Sequence, residues 1–114
     1  MISSFFKREE FACKCGCGFD VVDIEVLRLL IELRAYFNSP VTVVSGCRCF
    51  IHNRCVGGVD SSHHLLGKAV DIGVKGFTPE QVYDYLCTKY HHKYGLGLYG
   101  TFVHVDVRQD KARW

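Results

Sequence analysis

An α+β fold with an antiparallel sheet is what this 114-residue sequence predicts. One segment carries apolar residues at helical spacing, a second opens with a helix-capping motif, and short runs between and after them read as strands. The two kinds of segment do not alternate strictly along the chain, which argues against a parallel βαβ arrangement. The first 20 residues read as a loop segment rich in glycine and cysteine. From Val21 to Phe37, the residues Val22, Val26, Leu29, Leu30, Leu33 and Phe37 form a helical stripe. Asp20 is the expected cap of that helix, and Asn38-Ser39-Pro40 its stop. Val41 to Val44 reads as a short buried strand, and Ser45 to Asp60 as irregular chain with a turn at Gly57-Gly58. A second strand is expected at Ala69 to Val74. Its alternation puts Val70, Ile72 and Val74 on a bulky face and Ala69, Asp71 and Gly73 on the other. Thr78-Pro-Glu-Gln81 has the form of a capping box with proline at the first helical position, so a helix should run to about Tyr90. Tyr94 to Tyr99 and Thr101 to Arg108 then read as a hairpin around Gly100. In its second strand Thr101, Val103, Val105 and Val107 share one face. Phe102, His104, Asp106 and Arg108 share the other.

The length suits one domain over residues 1–114, able to bury a core without obligatory cross-links. A hydrophobic fraction of 48% excludes a disordered chain. A net charge of +2 offers no electrostatic case for nucleic acid as a partner. No apolar run is long enough to span a membrane. The N-terminus turns charged after six residues, too soon for a signal-peptide core, so synthesis in a cytoplasm without a signal peptide is expected. Seven cysteines are many for this length: Cys13, Cys15 and Cys17 in one group, Cys47, Cys49 and Cys55 in another, and Cys87 alone. Their C-x-C spacings differ from the usual C-x2-C zinc knuckles. Disulfides, a second metal site and free thiols all stay open.

The polar faces of the two strands suggest chemistry. Asp71 stands among small neighbours, which leaves room above the sheet, and His104 projects from the other strand. His64 lies seven residues before Asp71 at the far end of a loop, close enough to fold back, although alternation does not choose between it and His63. Two imidazoles and one carboxylate suit zinc. Three protein ligands leave a fourth position for water, whose pKa zinc lowers to about 7.

The order of motifs adds to this. The sequence carries Ser45-Gly-Cys-Arg48, His52-Asn53, Val56-Gly-Gly58, Ser62-His-His64-Leu-Leu-Gly67-Lys-Ala69-Val-Asp71, Phe102-Val-His104-Val-Asp106-Val-Arg108 and Arg113-Trp114. From about Phe11 onward it resembles the zinc D-Ala-D-Ala carboxypeptidase family. The resemblance implies a hedgehog/DD-peptidase-like fold with the helices on one side of the sheet. It implies His64, Asp71 and His104 as the zinc ligands, with His64 rather than His63 because only His64 lies three residues before Gly67. It implies that Arg48 holds a substrate carboxylate or the developing oxyanion, a role suited to an always-charged guanidinium that can bond bidentately. It implies hydrolysis of peptide bonds in peptidoglycan stem peptides, as a D,D-carboxypeptidase or an endopeptidase of endolysin type. The expected partner is therefore the stem peptide, with the chain a monomer. The expected place of action is the cell wall or periplasm, as for phage lysis enzymes or small bacterial cell-wall peptidases, with phage-type release one route there.

The sequence departs from the family at the general base. Many relatives carry an acid or a histidine three residues before the last ligand, where this chain has Thr101. Asp106 is the local replacement, either as base or as a partner orienting an imidazole. His91 and His92 are further candidates. The rival reading is a non-catalytic zinc-binding or cell-wall-recognition module of the same fold. Trp114 is expected to cover part of the core.

Overall fold

The computed structural model describes residues 6–18, 22–46, 48–49, 53, 56–57, 64 and 67–114. A 3-10 turn at Arg8–Phe11 precedes helix α1 (Ile24–Phe37) and strand β1 (Val41–Ser45). Strand β2 (Ala69–Val74), helix α2 (Pro79–Lys89) and strands β3 (Gly95–Leu98), β4 (Val103–Asp106) and β5 (Ala112–Arg113) follow. The strands lie in the order β1-β2-β4-β3-β5. The α+β class holds. The sheet is antiparallel except at one edge, where β5 runs parallel to β3.

Helix α1 forms where the stripe places it, but it begins later than expected. Asp23 caps it, its side chain accepting from the Glu25 N–H at 2.8 Å. The Asp23 N–H donates to the Gly67 carbonyl at 2.8 Å, and Asp23 itself is extended. Val22 therefore lies ahead of the helix while still packing on the core. The expected cap Asp20 falls outside the described residues. Asn38 ends the helix in the left-handed conformation, at φ 49°. Replacing Asp23 with alanine is expected to destabilise the chain by about 1 kcal/mol in urea unfolding, the usual loss for a carboxylate cap. No change would mean that the Gly67 contact alone sets the helix start.

The capping box of α2 is present in full: the Thr78 hydroxyl accepts from Gln81 N–H at 3.2 Å, and the Gln81 side chain accepts from Thr78 N–H at 2.8 Å. Val26, Leu29, Leu30 and Leu33 of α1 and Val82 and Leu86 of α2 meet Val70, Ile72, Val103 and Val105 in one apolar cluster. Both helices thus cover the valine-rich face of the sheet. The N-terminal segment is more than a loop, because Phe6 and Phe11 are buried in the same cluster. Gly46 permits this: a Cβ there would lie 2.5 Å from the Phe11 carbonyl oxygen.

The hairpin differs from its expected form at the tip. Tyr99 N–H bonds the Phe102 carbonyl at 3.1 Å, so Gly100 and Thr101 form a turn and the returning strand starts at Val103. The short strand β5 carries no alternation that would reveal it in advance. It is fixed by Arg113, whose guanidinium donates to the carbonyls of Tyr90, Lys93 and Tyr94 and ties the end of α2 to the sheet edge. Among the described residues, no helix is long and apolar enough to cross a membrane.

Candidate metal centre

The face of the sheet turned away from the helices carries the polar residues. Strand register aligns them in rows. Ser45 of β1 pairs with Asp71 of β2, Asp71 with His104 of β4, and His104 with Gly97 of β3. In the next row Asp106 lies between Ala69 and Gly95. The small residues leave space for the large polar ones beside them.

His64, from the segment between β1 and β2, completes the first row. Its carbonyl accepts from the N–H groups of Arg48, at 2.9 Å, and Gly67, at 3.2 Å. Gly67 sits at φ 67°, a conformation natural to glycine, and its own carbonyl is held by Asp23. The cap residue of α1 therefore also holds Gly67, whose N–H in turn bonds the His64 carbonyl. One ligand atom from each of His64, Asp71 and His104 lies within 4.8 Å of the others.

Donor and acceptor roles show what this cluster can hold. The Gly46 carbonyl can only accept, so His64 Nδ1 donates to it, at 2.6 Å. In the neutral ring Nε2 then carries a lone pair, and it faces Asp71 Oδ1 at 3.4 Å. His104 Nδ1 faces the same oxygen at 3.0 Å, while His104 Nε2 faces Asp106 Oδ2 at 2.9 Å. Two imidazole nitrogens and a carboxylate oxygen thus converge with their electron-rich sides together. That arrangement calls for a proton or a cation between them. A nitrogen and oxygen donor set of this kind suits zinc.

Asp71 is buried, which by itself would raise its pKa. Hydrogen bonds and charge from His104 and His64 outweigh burial and bring it to about 2. Burial also disfavours the charged form of His104, but Asp106 and Asp71 prevail and raise its pKa. Arg48 reaches into the same site. It donates to Asp71 Oδ2 at 3.3 Å, to Asn53 Oδ1 at 3.1 Å and to Ser45 Oγ at 3.4 Å.

Asp106 shares a face with His104 as expected, but it is 0% exposed. Its Oδ1 accepts from the N–H groups of Gly95 and Arg108 and from Arg108 Nε at 2.7 Å. Its Oδ2 accepts from His104 and from Arg108 Nη2 at 2.7 Å. Burial opposes ionisation here too. His104 and Arg108 nevertheless hold the carboxyl well below the usual carboxylate range. Replacing Asp106 with asparagine is expected to weaken zinc binding about 10- to 100-fold, the usual effect of losing a ligand's orienting partner. It should also flatten the acid limb of stability. An unfolded aspartate titrates near about 3.9. With its folded pKa depressed, the stability Asp106 contributes is fully present above that value and is lost as pH falls through the lower one. Urea unfolding at pH 7 and pH 3 checks this. An asparagine variant as acid-sensitive as the parent would contradict it.

The other expected participants lie elsewhere. Thr101 is exposed at the hairpin tip. His91 and His92 are exposed after α2, their rings against each other. His63 falls outside the described residues. Trp114 does not cover the core. It is 45% exposed, beside His104 at 5.1 Å, and its Nε1–H donates to the Tyr99 hydroxyl at 2.9 Å. Backbone bonds between Trp114 and Leu96 and Leu98 place it on this face, over Gly97. Sequence reasoning gave no role to Ser45, Gly46, Asn53 or Arg108, although all four lie in or beside its quoted motifs.

Two imidazoles, one carboxylate and a guanidinium on the open face of an α+β sheet form a donor set that suits a single zinc ion with one position left open. The chain belongs to the peptidase M15 family, whose model matches residues 4–106. That family consists of zinc peptidases. No curated protein and no solved structure matches the chain.

Proposed function

We propose that this chain is a zinc-dependent peptidase acting on peptidoglycan stem peptides. The observation that carries the reading is the convergence of His64, Asp71 and His104 beside the Arg48 guanidinium, within a chain of the M15 family. His64, Asp71 and His104 would hold the metal, and Asp106 orients His104. A zinc ion there would supply a Lewis acid for the scissile carbonyl and hydroxide at neutral pH.

The remaining work falls to the chain's own groups. Arg48 is held by Asn53 and Ser45, so its charge is fixed in place before substrate arrives. It takes either the terminal carboxylate of a stem peptide or the negative charge that develops on the carbonyl oxygen. The Asp106–Arg108 pair keeps Nε2 of His104 protonated and its Nδ1 turned to Asp71. Asp106, sealed and fully bonded, acts as a positioning residue rather than as the base. The chain would work at the cell wall or periplasm.

Digestion of purified peptidoglycan by the zinc-loaded chain, with fragments identified by mass, tests this reading. Free D-alanine would mark a carboxypeptidase, and larger peptides an endopeptidase. Release should stop with a chelator and return with zinc. A zinc-loaded chain that releases no fragment from any wall preparation would overturn the proposal and favour a recognition module.

A further inference from the structure

A second cluster of metal-ligating side chains lies apart from the His/Asp site. The sulfurs of Cys13, Cys15, Cys17 and Cys49 all fall within 4.8 Å of one another. Three come from a tight N-terminal bend and one from the loop after β1. The bend is closed by a bond from the Gly16 N–H to the Cys13 carbonyl at 3.2 Å. It brings alternate residues of Cys13-Lys-Cys15-Gly-Cys17 to one place, so the C-x-C spacing is no obstacle to joint coordination.

The distances favour coordination over cross-linking. Cys13 and Cys15 sulfurs are 3.4 Å apart, and those of Cys15 and Cys49 are 3.6 Å apart. A disulfide requires about 2.05 Å. Zinc–sulfur bonds of about 2.3 Å in a tetrahedron separate neighbouring sulfurs by roughly 3.8 Å. The Cys49 N–H also donates to Cys13 Sγ at 3.4 Å, the kind of bond that steadies a thiolate.

We propose that Cys13, Cys15, Cys17 and Cys49 form a second metal site, a tetrathiolate centre that takes a zinc ion with a structural role. Four protein ligands close the coordination sphere and leave no position for substrate. The site staples the N-terminal segment, which supplies Phe11 to the core, to the loop that carries Arg48. Cys49 follows Arg48 directly, and the Arg48 N–H holds the His64 carbonyl. Metal at the cysteines would therefore brace the loop beside the candidate catalytic site without taking part in its chemistry.

The full chain, purified under reducing conditions and reloaded with cobalt(II), gives the direct test. Sulfur-to-cobalt charge-transfer absorption in the near ultraviolet is expected, which nitrogen and oxygen ligands do not produce. Elemental analysis should find two zinc ions per chain. His64→Ala should keep one ion and the charge-transfer band. The paired change Cys15→Ser and Cys17→Ser, at two exposed positions, should lose the band and keep the other ion. Should that variant fail to fold, the cobalt spectrum of the unaltered chain still decides. Absence of the band from the cobalt-loaded parent would overturn the proposal. So would disulfides among these four cysteines in the natively purified chain, seen as a mass deficit of two hydrogens per bond. An unaltered zinc-loaded chain that cuts no peptide, while its cobalt form shows the band, would count against the proposed function alone.

Discussion

Replacing Asp71 with asparagine is expected to lower zinc content by one ion per chain and peptide hydrolysis by on the order of a thousandfold or more. The change preserves shape and removes charge. Among the described residues, Asp71 is the only anionic member of this cluster. Its two oxygens face His64, His104 and Arg48 at 3.0 to 3.4 Å. An amide would place an N–H against those groups, or present a neutral oxygen of much weaker affinity. Arg48 would also lose its counter-charge and with it part of its fixed position. Zinc stoichiometry and fragment release should fall together. A variant that keeps every zinc ion and cuts at the parent rate would remove Asp71 from the proposed ligand set.

A second large effect is expected at Gly46, in stability. Gly46→Ala should destabilise the chain by about 3 kcal/mol in urea unfolding, at the upper end for overpacking. The added carbon would lie 2.5 Å from the Phe11 carbonyl oxygen and 2.6 Å from its Cα. These are backbone atoms of a fully buried residue, so no side-chain rotation can relieve the clash. The Gly46 carbonyl also receives His64 Nδ1–H, so a shifted backbone would turn a proposed ligand. Gly73→Ala is the control. A Cβ there meets nothing within 4 Å, and a change below about 1 kcal/mol is expected. Equal losses at the two positions would show that contact with Phe11 does not set the sensitivity, since the entropy effect of Gly→Ala is itself stabilising.

Much of the fold was legible because periodicity reports burial directly. The stripe from Val26 to Leu33 and the alternation of Val70, Ile72 and Val74 each describe a face meeting the core. The same alternation put Asp71 and His104 on the open face, and strand pairing made them direct neighbours. The expected helix cap was misplaced because two aspartates stand close together, and a tertiary bond from Asp23 to Gly67 selects between them. The role of Asp106 was not decidable by alternation, which assigns a face but not depth. Arg108, two residues on, closes over the carboxylate and seals it. Likewise β5 and the position of Trp114 depend on Arg113 binding carbonyls distant in sequence, and no local pattern encodes that.

The placement of Trp114 gives the molecule an optical reporter. It is the sole tryptophan of the chain, and its ring lies 5.1 Å from that of His104. Indole emission responds to charge and polarity nearby, so whatever occupies His104 should be visible without a label. In the metal-free chain the raised pKa of His104 means that a proton leaves the ring as pH climbs past that value, with a change in emission. Saturating zinc should move that transition to lower pH, since the ion competes for the same nitrogen. A fluorescence titration that ignores both proton and zinc would show that the indole does not sense the centre. One that follows both would let occupancy be read in real time, and separately from the cysteine cluster.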